Sequence, residues 1–428
     1  MTPPLPGRLS ARTLVRGFSA ELPANFWKLW ASSAAANLAD GVLLVALPLI
    51  AVRLTSSPAE LAGVTVAFQL PMVALNLVAG GLADRLDRRY TMLAVQVLRV
   101  GVLATLTALA LADALSMAAL YVAAFAVGAG EAFFDTNATS ILPSVVGRDR
   151  LVAANGRLFA AETVMNTFVG PPLGGVLVAA SVPLALSGAS VGFGLAAAGL
   201  LLMSGRFRAD RVGPPRGLVA EIGEGIGFLV RHRLLLALSA MVALGRLGSA
   251  GFFALFALYA VAPGPMGLDD PAYGLLMVTL GAGSVVGSFF VGTAVRLLGR
   301  RGVLMLSTSL FAAGIALPAM TADVVVVAVG LFAAGIAVMS WNVTNVSLRQ
   351  SLLPAELMGR VHASHGFFAT LSGLIGAVAA GAVGEIFGLR VVFGLGAVVV
   401  LAGLLGGLIV TEQRIGNAES AATRRAST

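Results

Sequence analysis

Twelve apolar runs of about 20 residues, separated by short polar connections, constrain this chain more than any other feature. A run of that length crosses a hydrocarbon core of roughly 30 Å as one helix. Inside such a core every backbone N–H and C=O must find its partner within the chain, which helices achieve locally. The runs lie near 27–52, 60–83, 91–112, 115–137, 158–180 and 182–203, and again near 234–261, 272–295, 302–321, 323–346, 363–384 and 389–411. Only 11% of the 428 residues are charged and the mean hydropathy is +0.94, which leaves too little polar surface for a water-soluble protein of this size. The expected fold is an all-α membrane protein with twelve transmembrane helices.

The basic residues orient these helices. Of the 28 Lys and Arg residues, 24 fall in the N-terminal tail, the even-numbered loops and the C-terminal tail, whereas the odd-numbered loops hold only Arg53 and Arg390. That split follows the positive-inside rule with both termini cytoplasmic, and it accounts for the net charge of +8 without nucleic acid as a partner. The segment Met1–Glu21 is polar and basic, lacks the apolar centre of a cleavable leader, and is expected to stay inside. The chain then divides into a cytoplasmic tail (1–25), a six-helix half (26–205), a central loop (206–233), a second six-helix half (234–411) and a polar tail (412–428) that is expected to be disordered. In the central loop Leu218, Ile222, Ile226 and Leu229 share one helical face, which predicts a short amphipathic helix at the membrane surface.

The halves repeat one another. Gly80-Gly81-Leu82-Ala83-Asp84-Arg85-Leu86-Asp87-Arg88-Arg89 has a weaker copy, Gly292-Thr293-Ala294-Val295-Arg296-Leu297-Leu298-Gly299-Arg300-Arg301, 212 residues later. Ile141-Leu142-Pro143 and Leu352-Leu353-Pro354 are 211 apart, and the Gly-rich centres beginning at Gly170 and Ala380 are 210 apart. Such an internal duplication predicts two pseudo-symmetric halves with one cavity between them.

Gly80 to Arg89 resembles the loop signature of the major facilitator superfamily, Gly-x-Leu-Ala-Asp-Arg-x-Gly-Arg-Arg, with Asp87 in place of the usual Gly. Gly170-Pro171-Pro172-Leu173-Gly174-Gly175 is similar to the span-five signature that this superfamily associates with exporters working as antiporters. Ala161-Glu162-Thr163-Val164 adds a similarity to the bacterial exporter branch of enterobactin-exporter-like and macrolide-efflux-like proteins. The resemblance covers about residues 25–411 and implies the major facilitator fold and a place in the bacterial plasma membrane. It also implies a gate at Gly80, Asp84, Arg85, Arg88 and Arg89, in which Asp84 caps the eleventh span and Arg88 bridges to a fourth-span carboxylate, a place that Asp135 fits. Two departures stand out: Asn166 replaces a Gly of the fuller span-five pattern, and Ala124 stands where many drug antiporters carry an Arg four residues before Gly128-Ala129-Gly130.

An ionised side chain at the centre of a lone helix costs at least about 2.5–3.5 kcal/mol, so the ionisable residues within spans are the candidates for chemistry. They are Asp40, Arg99, Glu131, Asp135, Glu162 and Arg246. Asp40 is twelve residues past Lys28 and Arg246 thirteen past Arg233, which puts them roughly 18 and 20 Å into the first and seventh spans. Their near-equivalent places suggest a pair facing across the cavity, with two separate packing charges as the plain alternative. Glu131 and Asp135 share a helix face, where two negative charges in low dielectric favour one of them holding a proton. Glu162 is expected to pair with an interfacial Arg, and Arg99, on a peripheral span, to serve structure. Asn37, Asn342 and Asn345 are candidate substrate contacts. Gly170, Pro171 and Pro172 predict a kink, and Gly174 and Gly175 a close helix approach.

His232, His362 and His365 fall in cytoplasmic connectors, where solvated histidines are expected, and their spacing does not make a metal site. The chain has no phosphate-binding Gly-Lys-Ser/Thr loop, so neither ATP nor another cofactor is expected, and no catalytic constellation appears. The expected function is a monomeric secondary transporter that exports amphipathic or apolar small molecules, such as drugs or secreted metabolites, against protons. A uniporter or proton symporter for a sugar, amino acid or siderophore is the alternative, and a membrane-embedded enzyme has less support.

Overall fold

The computed structural model describes residues 22–83, 87–147, 150–205, 207, 227–353 and 355–417. Eleven helices among these residues are long and apolar enough to cross a membrane. They are α1 (Ala24–Leu54), α2 (Pro58–Ala83), α3 (Arg88–Leu111), α4 (Met117–Val146), α5 (151–180), α6 (Val182–Leu201), α7 (Arg233–Ala260), the continuous Asp270–Met320, α10 (Val324–Leu352), α11 (Ala355–Phe387) and α12 (Leu389–Leu408). At 1.5 Å per residue, a straight helix from Asp270 to Met320 would run roughly 77 Å, more than twice the hydrocarbon core. It breaks at Gly299, where φ 72° and ψ 171° are freely open only to glycine, into α8 (270–298) and α9 (300–320). The membrane-length helices among the described residues therefore number twelve.

Short polar residues start them. Ser116, Ser181, Asp269 and Asp323 accept hydrogen bonds from the backbone N–H groups of Ala119, Leu184, Ala272 and Val326, which sets the starts of α4, α6, α8 and α10. Several helices outrun the apolar runs that predict them: α4 continues to Val146 through Pro143, α5 begins at Leu151 and α11 at Ala355. Hydropathy sees the length inside the hydrocarbon, while these ends project beyond it.

In the first half α1 packs on α4, α5 and α6, and α3 lies outside against α4 and α6; in the second half α7 packs on α11 and α12, and α10 on the α8–α9 pair. Much of this packing is backbone against backbone, as expected where lipid removes any hydrophobic drive between helices. A Cβ at Gly41 would stand 2.7 Å from the Asn166 carbonyl oxygen, and one at Gly170 only 2.5 Å from the Gly41 Cα. Gly174 lies against the Val42 carbonyl in the same way. On the opposite side of α5, Gly175 meets Asp270 and Pro171 meets Gly274, both on α8. The glycines of the span-five motif thus clamp α5 between α1 and α8.

Within α5 the backbone widens to a π-helix over Thr163–Val169 before resuming at Gly170. Pro171 and Pro172 have no N–H to give the carbonyls of Thr167 and Phe168, and their rings crowd those carbonyls in an α-helix. The wider turn relieves the clash, and the Gly170 N–H reaches five residues back to Met165. The expected kink is this π segment.

The repeated hinges close each half on itself. Arg89 donates through Nε and Nη2 to the carbonyls of Leu200 and Leu201 at the end of α6, 2.7 Å each. Arg301, its counterpart 212 residues on, donates through Nε to the Gly407 carbonyl at the end of α12, 3.1 Å. Each cation meets the negative end of its half's last helix. Asp87 caps α3 by accepting from the Arg89 N–H and also takes the Phe207 N–H, both at 3.0 Å. In the second half Gly299 stands in its place, and Glu412, beyond α12, accepts the Arg301 N–H at 2.7 Å. Residues 412–417 form a helical turn here, so the start of the tail is ordered, contrary to expectation. Asp84, Arg85 and most of the central loop, with its expected amphipathic helix, lie outside the described residues.

The contacts that join the halves gather on the side away from the termini. Arg53, at the end of α1, is ion-paired with Asp270 at the start of α8 and also donates to the Val178 carbonyl of α5. Glu385, at the end of α11, accepts from Ser57 Oγ at 2.7 Å and from the Ala59 N–H at 3.2 Å at the start of α2. Gly381 and Gly384 of α11 lie against Ala59, Ala62 and Pro58. By symmetry α5 with α8 and α11 with α2 are the same joint made twice, Arg53 of α1 reinforcing the first, and they hold this side closed.

Two outcomes follow from these contacts. Asp87→Ala removes an N-cap and should lower stability by about 1 kcal/mol, read as a fall in the detergent melting midpoint. Because the chain has no cysteine, Ala62→Cys places a single thiol in the outer joint, where Ala62 is buried. Adding Glu385→Ala should speed its labelling from outside by about two- to fivefold, the scale of a partly exposed pair of contacts; unchanged labelling would mean that Glu385 does not hold the joint.

Candidate functional site

The first half carries the charged centre. Arg99 sits on α3, the outermost helix of the half, yet its side chain is 0% exposed because it points inward between α4 and α6. Its Nε and Nη2 donate to the Val127 carbonyl of α4 at 3.2 and 2.9 Å. Its guanidinium lies over the Phe193 ring of α6, 4.7 Å from the centroid, a geometry that stabilises a desolvated cation. Gly130 provides the slot, since a Cβ there would stand 2.5 Å from Nε. Gly128, two residues back, holds α4 against the Phe68 carbonyl of α2, so the Gly-Ala-Gly sequence fixes α4 on two sides.

The remaining nitrogen, Nη1, is 3.5 Å from Asp40 Oδ1 on α1. The expected pairing of Asp40 with Arg246 is therefore corrected: the ion-pair partner of Asp40 is Arg99. Position along the chain placed Arg99 on a peripheral span, but its reach of several bonds carries the charge to the centre. Asp40 itself is 13% exposed, held on the α1 face that crosses α5 at Gly41.

Three more carboxylates surround this pair. Glu131 of α4 has Asp40, Arg99, Asp135 and Glu162 as its electrostatic neighbours, and Asp135 has Asp40, Glu162 and Arg99. Asp135 accordingly belongs to this group. The bridge expected between Asp135 and Arg88 is not what Arg88 makes: its Nη1 donates to the Ser140 carbonyl of α4 at 2.7 Å. Glu162 ends the α-helical part of α5 and is exposed, directly before the π segment. The guanidinium of Arg157, earlier on the same helix, lies over the Trp27 ring, 5.2 Å from its centroid. Glu131 Oε2, Asp40 Oδ1 and Arg99 Nη1 are buried polar atoms without a hydrogen bond among the described residues.

The second half differs. Arg246 is exposed on α7, the most enclosed helix of that half, and makes no hydrogen bond or ion pair among the described residues. Asn342 of α10 is exposed and Asn345 buried, its Oδ1 without a partner, while Asn37 of α1 donates to the Ser33 carbonyl one turn back. His365 lies inside the bundle, contrary to expectation: α11 extends past it, and its Nδ1 is 3.0 Å from Ser239 Oγ of α7. The ring of His232 stacks on Phe228, and the side chain of His362 lies outside the described residues. The described residues contain no cluster of acids and histidines able to hold a metal ion.

Comparison with known proteins places this geometry in a family. Residues 19–427 match the family described as transmembrane secretion effector. The multidrug efflux pump Tap of Mycolicibacterium fortuitum is 27% identical over 378 residues, 84% of this chain and 88% of that protein. The uncharacterized MFS-type transporter YfiS of Bacillus subtilis (strain 168) is 26% identical over 402 residues, 88% of this chain and 91% of that protein. Among solved structures, the nucleoside transporter NupG superposes with a TM-score of 0.72 at 13% identity, covering 90% of this chain and 99% of that one. A bacterial homolog to the human lysosomal transporter Spinster, in its inward-facing and occupied conformation, gives 0.68 at 14% identity, covering 93% and 96%. Identities that low speak for a shared fold alone. With the family matched over nearly its whole length, the chain belongs to the transmembrane secretion effector family of the major facilitator superfamily.

Proposed function

We propose that this protein exports amphipathic small molecules, drugs or secreted metabolites, in exchange for protons, by alternating access of one cavity between the two halves. The observation that carries this reading is the balance of charge around Arg99: it is ion-paired with Asp40, and Glu131 and Asp135 of α4 have the same arginine as their basic neighbour. Each ion in the bundle is costly on the scale of about 2.5–3.5 kcal/mol, so the surplus negative charge needs protons or a bound cation to balance it. Protons and a positively charged substrate then compete for the same carboxylates. Such competition is the differential affinity that alternating access needs to couple two fluxes.

On this reading Asp40 and Glu131 carry the protons, Asn37, Asn342 and Asn345 meet the substrate, and Arg246 faces it from the second half. The outer joint at Arg53–Asp270 and Glu385 and the hinge from Gly80 to Arg89 govern which side is open. Export is the direction suggested by the secretion description of the family and by the efflux named for the Tap protein. One cavity enclosed by one chain makes the monomer the working unit, with the lipid bilayer, protons and substrate as its partners and no chemical conversion of the substrate.

Inverted membrane vesicles test this directly. A panel of lipophilic cations, amphiphiles and neutral compounds should accumulate in vesicles containing the protein, cations best, and a protonophore should abolish accumulation. Asp40→Asn should cut the proton-driven rate about tenfold or more, the consequence of losing one charged group's coupling. Movement indifferent to the protonophore would sink the antiport reading, and inward transport stimulated by an inward proton gradient would replace it with symport.

A further inference from the structure

We propose that the cavity beside the α5–α8 joint, on the side away from the termini, binds amphipathic organic cations and thereby holds that joint shut. The site is separate from the charged centre around Arg99 and is read from its own lining. Only its consequence for export rests on the exchange proposed above.

The cavity holds about 520 Å³, within the roughly 300–1,000 Å³ of small-molecule sites. One wall belongs to the first half, with Leu49 and Val52 of α1 and Ala179 of α5. The other belongs to the second half, with Val261 and Leu268 of the connection between α7 and α8 and the acids that begin α8. That connection is tied down by its own backbone. The N–H groups of Ala262 and Leu268 donate to the Leu268 and Ala260 carbonyls at 3.0 and 2.9 Å, and the Met266 N–H donates to the Tyr259 carbonyl at 3.2 Å. A wall fixed in advance spares a ligand the cost of ordering it.

Charge decides what the cavity takes. Three charged side chains line it, Arg53, Asp269 and Asp270. Arg53 is already committed, since its guanidinium pairs with Asp270 and also donates to the Val178 carbonyl at 3.1 Å. Asp269 uses Oδ1 to accept the Ala272 N–H at 2.9 Å, and it is exposed, with no ion pair among the described residues. One negative charge is therefore left over beside apolar side chains, which suits a cation carried on an apolar body. Such a ligand touches both halves at once. Opening the joint draws α5 away from α8 and parts the two walls, so the ligand binds the closed form and shifts the equilibrium toward it. With amphipathic cations as the exported class, cargo that collects on this side slows its own export.

The test uses the full chain in a neutral detergent, with benzyltrimethylammonium as the probe cation and benzenesulfonate as an anion of similar size. The chain has no cysteine, so Ala179→Cys places a single thiol in the cavity wall and Ala62→Cys places one in the α2–α11 joint. The cation should protect Ala179→Cys from a maleimide, and the titration of that protection gives its Kd. At ten times that Kd it should slow the labelling of Ala62→Cys about tenfold, because the open fraction falls by one plus the ratio of probe concentration to Kd. Asp269→Asn keeps the helix cap, which asparagine makes as well as aspartate. It should weaken binding of the cation about two- to fivefold, the scale of a partly exposed charge pair. Absence of protection, equal protection by benzenesulfonate, unchanged affinity in Asp269→Asn, or Ala62→Cys labelling that ignores the cation would each overturn the inference. No proton gradient enters these measurements, so vesicles that ignore the protonophore would defeat the exchange reading alone.

Discussion

The backbones of α1 and α5 touch at Gly41 and Gly170, and the architecture of the first half depends on that crossing. In lipid, helices gain little from burying apolar side chains against one another, so the depth to which backbones approach sets which helices stay together. The crossing places Asp40 beside the π segment of α5, with Glu162 at its start. It also lets the far side of α5 meet α8, where Gly175 and Gly274 bring the halves together. A motif that sequence comparison treats as a mark of exporters is thus a set of three helix contacts and one widened turn. Its chemistry is indirect: it holds an acid-bearing helix against another.

The same economy appears at the hinges, where the two halves solve one problem with different residues. The start of α3 and the start of α9 both need an acceptor, and both last helices need a cation at their ends. Arg89 and Arg301 meet the second need in parallel. For the first, one half uses Asp87 within the loop, and the other uses Gly299 with Glu412 brought from the segment after α12. Asp87, where the superfamily pattern has glycine, is thereby accounted for: its φ of −72° needs no glycine, and its carboxylate does what Glu412 does for the second half.

Helix number and duplication were legible in the sequence because they follow from run length and spacing, each a one-dimensional quantity. The intramembrane charges were legible too, since their cost marks them wherever they fall. Partnership was not. Arg246 matched Asp40 in depth, and depth alone suggested the pair, but an arginine side chain reaches well beyond its own helix and Arg99 enters from the flank. The signal that pointed to it was present in Gly128-Ala129-Gly130, because a glycine at 130 leaves a slot in α4 that a side chain of the neighbouring helix fills. His365 was misread because a histidine at the edge of an apolar run was assigned to the connector, whereas it lies within α11 and meets Ser239 of α7.

On the proposed mechanism, unequal charge in the two halves is what couples the two fluxes. While the cavity is open to water, solvent screens the surplus acids; when both sides close, the local dielectric falls and every unbalanced charge costs more. Arg99 can offset one acid, and Arg246 is an exposed cation on a helix of the other half. On the proposed mechanism the empty, fully ionised protein is thus held back from the occluded state, whereas protons or a cation let it pass. The outer joint needs only modest strength for this to work, because the barrier to futile opening resides in the acids themselves. On that mechanism exchange is enforced by electrostatics at the centre, and the latches at Arg53 and Glu385 tune only how long their side stays shut.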